Sequence, residues 1–478
     1  MRPGILWIAR SFACLICLAS AHAQNLSATP ELPTEETEAK GAKLDTSGNL
    51  LGDMGGLRSW LYGYGVTFSL IEIDQVFGNT TGGKEQRPAY IGVTAATLTA
   101  DLEKSIGLEG GLFNVSALQI HSRSITQAQL LTFNNISDSE AWWSTRLFEM
   151  WYQQGFFDDK FDIKIGQIDL DTEFWISQYS AFFHNASFGW ALMPSLELYS
   201  GGPSYPMGAL GVRLRYRPDN QWTFLFAGAD DNPTGGPFSN PVDPSNQSLH
   251  PSGTFFNLGN GALLIGEMQY TLNPPPSDKS KATDDPGLPG TYRLGGLYDT
   301  ASFPDPRFDT AGHLLASPQS NGYPMQHKGN WMLYGIMDQM IWRPSVDSPT
   351  ALGFFARASG TNDDRNIVSF AVDAGFNFKG ALAGRENDTF GIGWGMGQVG
   401  NRARAADRDH YYFSSDFYPI GGAEHHFELT YAAQVTPWLI VQPDFQYTWN
   451  PSGGILNPNT GKLIGNELVL GLHAGITF

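Results

Sequence analysis

The stretch that decides the fold is the C-terminal one, residues 468–478, which reads LVLGLHAGITF. Leu470 and Leu472 fall on one side of an extended chain and His473 on the other, because successive side chains of a strand point to opposite faces. Alternation over about 9–11 residues is the sequence signature of a membrane-spanning β-strand. The chain ends on an aromatic residue, Phe478, directly after this strand, as is typical of outer-membrane barrels.

The same alternation recurs upstream, with apolar side chains on one face and polar or charged ones on the other. Residues 211–217, for example, alternate Val212 and Leu214 with Arg213 and Arg215. The polar face would meet water in a soluble sandwich and the lumen in a barrel, so alternation alone leaves both folds open. The other clear segments are residues 266–272, 367–379, 427–435 and 440–449.

Long irregular segments and clustered aromatic residues favour the barrel. Residues 230–252, 273–290 and 301–328 are rich in Pro, Asn, Ser and Asp. Segments of this length are uncommon in compact soluble domains, but they suit the extracellular side of a barrel. Tryptophans lie at the ends of alternating runs, as an aromatic girdle requires: Trp222, Trp331, Trp342, Trp438 and Trp449.

Composition excludes several classes of protein. Only 16% of the 478 residues are charged, aromatic residues reach 13%, and glycine is counted 55 times, a mixture that favours strands and turns over helices. A mean hydropathy of −0.23 excludes a polytopic helical membrane protein. The net charge of −18 argues against a nucleic-acid partner, which would need a basic patch.

The N-terminus has the features of a secretory signal peptide. Arg2 and Arg10 precede an apolar run over residues 11–20, which is followed by Ala21-His22-Ala23, so we expect cleavage between Ala23 and Gln24. The following residues are rich in Glu, Thr and Pro. The chain is therefore predicted to comprise a signal peptide over residues 1–23, an acidic flexible lead over 24–49 and an outer-membrane barrel over 50–478.

Several strings resemble the carbohydrate-selective porin (OprB) family of Gram-negative outer membranes, and their order along the whole chain is more specific than any one of them. His473 is a departure, because the final strand of the family often carries Arg there. The strings are 51–58 (LGDMGGLR), 117–123 (ALQIHSR), 164–167 (KIGQ), 171–174 (DTEF), 200–206 (SGGPSYP), 211–216 (GVRLRY), 338–343 (DQMIWR) and 442–447 (QPDFQY).

The resemblance implies an all-β fold: a single antiparallel transmembrane barrel of about 16 strands, with short periplasmic turns and long outer loops. It also implies passive diffusion of sugars, without catalysis, cofactor or metal ion. The expected partners are permeating sugars, outer-membrane lipid and the barrel-assembly machinery, which would read the C-terminal strand and Phe478. The chain would act as a monomer or a homotrimer.

Candidate sugar contacts are the inward polar side chains of the alternating segments. Carboxylate and guanidinium groups exchange hydrogen bonds readily with hydroxyls, and the family lines its narrow part with Arg and acidic residues. Arg58 and Arg123 are included because strings of the family surround them. The candidates are Arg58, Arg123, Arg213, Arg215, Glu267, Gln269, Asp373, Glu428, Asp444 and Gln446.

Other motifs give weaker signals. Asp169, Asp171 and Glu173 would share one face of a strand and could hold Ca²⁺, but they lack the glycine turn of a calcium loop. Residues 395–400 match G-x-G-x-x-G, although no clear helix follows, and we assign these glycines to a strand against which something packs closely. The sequence has no G-x-S-x-G or H-E-x-x-H string, its C-x-x-C string (Cys14 to Cys17) lies in the predicted signal peptide, and we predict no catalytic residue.

Two alternatives remain open from the sequence. The first is a secreted, soluble β-sandwich that binds glycans or acts on them as an enzyme. The second is an outer-membrane barrel enzyme, which would need a nucleophile and a base close together. A soluble sandwich would not need detergent, whereas a barrel would need it and would migrate on a gel in a heat-modifiable way.

Overall fold

The structure of the protein is a computed structural model. It describes residues 44–122, 124–240, 242–274, 285–414 and 417–478. The predicted signal peptide, most of the predicted lead and Arg123 therefore lie outside the described residues.

The chain forms one closed barrel of 16 strands in which every neighbouring pair is antiparallel, and every pair except the closing one, β1 with β16, is consecutive in sequence. This confirms the predicted fold class. The strands are β1 (Val66–Thr81), β2 (Pro88–Asp101), β3 (Gly111–Ile120), β4 (Ser144–Phe156), β5 (Phe161–Ile168), β6 (Ala209–Tyr216), β7 (Trp222–Asp230), β8 (Ala262–Leu272), β9 (Gly290–Asp309), β10 (Pro324–Trp342), β11 (Ala351–Thr361), β12 (Val368–Lys379), β13 (Thr389–Val399), β14 (Ala423–Thr436), β15 (Leu439–Trp449) and β16 (Glu467–Thr477).

The barrel closes through its first and last strands. β1 pairs with β16 in a register that joins Ile71 to Thr477 and Val76 to Leu472. Closure leaves no strand edge with free backbone N–H and C=O groups, which a membrane interior cannot satisfy. The C-terminal stretch that predicted the fold is thus the strand that completes the barrel.

Alternation along the strands separates an outer wall of exposed, mostly apolar side chains from a buried inner face that carries the polar and charged ones. On β6, Val212 and Tyr216 are exposed on the outside, whereas Arg213 is buried on the inside. Leu470 and Leu472 on β16 likewise face outward. The outward apolar side chains are the surface that lipid would cover. Buried apolar side chains also pack together on the inner face, among them Leu225, Ile265 and Ile336.

The described part of the chain contains four α-helices, one before β1 and three in connections between strands: α1 (Leu57–Gly63), α2 (Leu102–Ile106), α3 (Leu192–Glu197) and α4 (Asn401–Ser414). Among the described residues, none of the helices has both the length and the apolar run needed to cross a bilayer.

Most of the long connections lie at the end of the barrel opposite the C-terminus. They are residues 121–143, 169–208, 231–261, 400–422 and 450–466. Two of the predicted outer loops are corrected by the structure. Residues 273–290 join β8 to β9 at the same end as the C-terminus, and much of 301–328 belongs to β9 and β10, whose hairpin extends beyond neighbouring strands. A high content of Pro and Asn does not show at which end of the barrel a connection lies, and it does not distinguish a loop from an irregular hairpin.

Candidate functional site

The connection between β5 and β6, residues 169–208, enters the barrel, and we call it the inserted segment. Its first half is held by inner-face side chains of β8 and β10. The backbone N–H of Trp175 donates to Glu267 on β8 at 3.1 Å. The hydroxyl of Ser177 donates to Asp338 on β10 at 2.6 Å. Both carboxylates lie on the inner face, so the segment crosses the lumen instead of covering its mouth.

The middle of the inserted segment is held by Glu428 on β14. One carboxylate accepts two backbone N–H groups, from His184 at 2.7 Å and from Asn185 at 2.9 Å. The Asn185 amide also donates to Gln446 on β15 at 3.0 Å. Asp444 is a neighbour in this group and accepts from Gln446 at 2.9 Å. These buried groups fix the turn of the segment because two adjacent N–H groups have their partners only while it stays inserted.

Arg357 on β11 holds the following turn. Its guanidinium donates to the backbone oxygens of Ser187, Phe188 and Gly189, the last two at 2.9 Å. The charge of Arg357 is balanced by Asp373 on β12 at 3.1 Å. A guanidinium suits this task because several donors in one plane reach several carbonyls at once.

A row of glycines on the inner face of β13 receives the aromatic side chains of the inserted segment. A Cβ atom on Gly393 would lie 2.8 Å from the ring of Phe188, and one on Gly391 or Gly397 would be closer still to Phe182 or Leu192. The close packing expected for residues 395–400 is therefore observed at Gly397 and continues to Gly391. The missing side chains make the space in which the segment lies.

A second connection, residues 121–143, also bends inward and contacts the inserted segment. Its Asp138 N–H donates to the carbonyl of His184 at 2.8 Å, and its Ser137 hydroxyl donates to Gln75 on β1 at 2.5 Å. Glu140 organises it by accepting from the Thr126 hydroxyl at 2.8 Å. Burial raises the pKa of Glu140 above its usual range, although these hydrogen bonds act in the opposite direction.

The two inward connections, together with Ser245 and Gln247 of the connection 231–261, line a cavity of about 130 Å³. Asp138, Glu140 and Asp171 supply carboxyl groups to its lining, and Trp190 and Tyr205 supply aromatic rings. Serine hydroxyls complete the lining: Ser195, Ser200, Ser204 and Ser245. Carboxyl groups, hydroxyls and aromatic faces together form a surface that can hydrogen-bond a polyol and stack on its C–H face.

The three acids that could have held Ca²⁺ do not share a strand face. They lie at the start of the inserted segment around a short 3₁₀ turn, where the Asp169 carboxylate accepts a hydrogen bond from the backbone N–H of Asp171. Glu173 instead pairs with Lys164 and Arg213. Burial alone would raise the pKa of Glu173, but these two cations outweigh burial and lower the pKa to about 2.

The predicted sugar contacts fall into three groups. Some are buried beneath the inward connections or in the ion pairs beside them: Arg213, Glu267, Asp373, Glu428, Asp444 and Gln446. Arg215 and Gln269 are on the same face and are partly exposed, with Arg215 2.7 Å from Asp162. Arg58 lies on α1, where it contacts the backbone oxygens of Phe68 and Phe478 at the barrel seam. Direct contact with sugar stays a prediction for all of them.

Sequence reasoning missed several residues that hold the inserted segment. Asp338 and Arg357 are inner-face residues of β10 and β11, and Glu197 at the end of α3 accepts from the Val368 N–H at 2.6 Å. Asp338 lies in a string that carries the resemblance, 338–343, which was a usable signal. Arg357 and Glu197 had no comparable signal.

Comparison with known proteins agrees with this architecture. The family model described as "Carbohydrate-selective porin, OprB family" matches residues 85–478. Porin B of Pseudomonas aeruginosa is 25% identical over 84% of this chain and 87% of its own length. The high-pH structure of Pseudomonas putida OprB shares the fold, with a TM-score of 0.76, 24% identity and coverage of 91% of this chain and all of that one. The chain therefore belongs to the carbohydrate-selective porin family, OprB.

Proposed function

We propose that this protein is a passive channel of the Gram-negative outer membrane through which mono- and small oligosaccharides diffuse. The path runs through the barrel and is narrowed by the inserted segment and by residues 121–143. Membership of the porin family supports a channel and not an enzyme, and the path needs no cofactor.

The observation that carries the proposal is the lining of the cavity between the two inward connections. Asp138 and Asp171 can accept hydrogen bonds from sugar hydroxyls, and Trp190 and Tyr205 offer rings on which a sugar can stack. A permeating sugar replaces its hydrating water by hydrogen bonds to such groups, and it must release these groups again as it moves on. This requires binding that is weak and distributed over several positions. The carboxyl groups also oppose the entry of anions.

Both ends of the chain take part in export and assembly. Residues 1–23 are removed between Ala23 and Gln24, residues 24–49 form a separate acidic lead, and Phe478 with the last strand is read by the barrel-assembly machinery. The protein functions as a monomer or a homotrimer, and we expect no catalytic activity.

Swelling of proteoliposomes tests the function. The purified protein is compared with empty vesicles for glucose, a trisaccharide and a charged solute of glucose size. We expect fast entry of glucose and slow entry of the charged solute. Equal entry of all three would contradict the sugar preference and leave a general channel, whereas a protein that never inserts would contradict the channel itself.

A further inference from the structure

One group of polar side chains lies on the outside of the barrel, where the neighbouring strands present apolar residues. Glu72 and Asp74 occupy outward positions of β1, because Ile73 and Gln75 between and beside them are the buried, inward ones. The outward positions of the paired strands carry Leu472 on β16 and Leu98 on β2. We call Glu72, Asp74, Tyr90, Thr94 and His121 the wall cluster.

The wall cluster is tightly connected. Nε2 of His121 lies 3.3 Å from a Glu72 oxygen and 3.0 Å from the Tyr90 hydroxyl. The Tyr90 hydroxyl donates to Asp74, and the Thr94 hydroxyl donates to the other oxygen of Glu72 at 2.5 Å. The groups come from two adjacent strands and from the residue that follows β3, so the barrel itself positions them.

Negative charge on the wall cluster is energetically unfavourable because the cluster lies on the outer wall of the barrel. Ionised carboxylates on a lipid-facing wall destabilise a barrel because hydrocarbon does not solvate them. Two such groups lie close together on β1, and the side chains of Glu72 and His121 are only 17% and 27% exposed. Ionisable residues in the membrane are typically paired with opposite charge or functional. A divalent cation would neutralise both carboxylates at once.

We propose that Glu72, Asp74 and His121 bind a divalent metal ion on the outer wall of β1–β3, with Tyr90 and Thr94 orienting the carboxylates. Each of the three offers one ligand atom, and these atoms lie within 4.8 Å of one another. Ligands about 2.0–2.2 Å from a metal are about 3–4 Å apart around it, so small side-chain movements suffice. This site was not expected from the sequence, which predicted no metal.

The ligand chemistry selects the class of ion. One imidazole nitrogen and two carboxylate oxygens suit Zn²⁺ or Mn²⁺ better than Ca²⁺, which prefers six to eight oxygens. The hydroxyls of Tyr90 and Thr94 would act as outer partners of the kind that fix ligating carboxylates. The site is separate from the sugar path, so its role is to stabilise the wall, and sugar entry does not depend on it.

Zinc binding tests the proposal on the full chain in detergent after treatment with a chelator. We expect the wild-type protein to bind about one Zn²⁺ per chain in calorimetric titration. The double variant Glu72→Gln with Asp74→Asn, which keeps size and removes both charges, should bind more than about 100-fold more weakly, since even outer partners are worth 10–100-fold. His121→Gln gives an independent second measurement if the double variant does not fold.

The matched control neutralises two exposed acids near the other end of β2 and β3, Glu103→Gln with Glu109→Gln, and should bind Zn²⁺ as the wild type does. Zinc should also raise the temperature at which the wild-type barrel loses its folded migration on a gel, but not that of the double variant. Absence of stoichiometric Zn²⁺ binding by the wild type, or equal affinity in the double variant, would overturn the proposal.

Discussion

Single buried side chains in this protein connect parts of the chain that are far apart in sequence. Arg58 joins α1 to the backbone of Phe68 and to the terminal residue Phe478. Glu197 joins α3 to β12. Both side chains are almost fully buried, so removing either leaves a backbone group without its partner in a place that water cannot easily reach.

Arg58→Ala should weaken the closed barrel. Its guanidinium binds backbone carbonyls on β1 and at the end of the chain, and hydrogen bonds to a charged group contribute about 1.5–3 kcal/mol each. We expect a loss of about that size or more in the free energy of unfolding, measured by urea titration of the tryptophan fluorescence.

Arg87→Ala is the control for Arg58→Ala, because Arg87 is 58% exposed and pairs with Glu85 at the surface. Its loss should change the unfolding free energy by less than about 0.5 kcal/mol. Equal effects of the two substitutions would contradict a special role of Arg58 at the seam.

The buried carboxyl group of Glu197 should make the stability of the fold depend on pH. Burial raises the pKa of Glu197 to about 8, despite the hydrogen bond from Val368. The folded protein therefore holds a proton that the unfolded chain releases near the ordinary glutamate pKa of 4.5. Stability from this group is fully present below that value and falls as the pH rises through about 8, by at most about 1.4 kcal/mol per pH unit.

Urea unfolding at pH 6 and pH 9 measures this effect, with Glu197→Gln for comparison. The amide stays neutral, so the variant should lose less stability than the wild type between the two pH values. An identical pH dependence in both proteins would show that other groups are responsible.

At the scale of elements, the inserted segment and the strands beneath it fit one another. β13 provides a row without side chains, β14 provides a carboxylate for two N–H groups, and β11 provides a guanidinium for three carbonyls. Close packing and paired polar groups together hold an irregular segment in the lumen, where neither an alternating pattern nor a long helix fixes it.

Gly393→Val should displace the inserted segment. Its Cβ would already lie 2.8 Å from the Phe188 ring, and overpacking of this kind costs about 1–3 kcal/mol. We expect trisaccharides to enter proteoliposomes faster than through the wild type. Gly335→Val is the control, since a Cβ there meets only the Arg293 carbonyl at 3.8 Å. Unchanged trisaccharide entry through a folded Gly393→Val protein would argue against the segment as the restriction.

Glu428→Ala should also displace the inserted segment, in this case because it removes a hydrogen-bond acceptor. The substitution leaves the N–H groups of His184 and Asn185 without their acceptor, at about 1–3 kcal/mol each. The segment should then spend more time displaced, and single-channel conductance should rise. The exposed Glu386→Ala removes a charge from a connection at the opposite end of the barrel and should leave the conductance close to that of the wild type. Equal conductance in all three proteins would contradict the anchoring role.

For the whole molecule, the barrel could be predicted from sequence and the interior could not. Alternation is local, so residues 211–217 suffice to place Arg213 inside and Val212 outside. The inserted segment has no such period, and its contacts join residues as distant as Trp175 and Glu267. Only the glycines of 395–400 indicated that something packs against β13. The sequence therefore predicted the inward face of the candidates that lie on strands, but not that the inward connections would cover many of them.

The central claim is that a sugar passes through a narrow path beside the inserted segment. The most direct measurement is the single-channel current of the wild-type protein in a planar bilayer as glucose is added. If glucose occupies the path, the current should fall with glucose concentration and approach a limit, and Glu428→Ala should reduce the fraction blocked. A large current that glucose leaves unchanged, beyond its effect on the viscosity of the solution, would contradict the account.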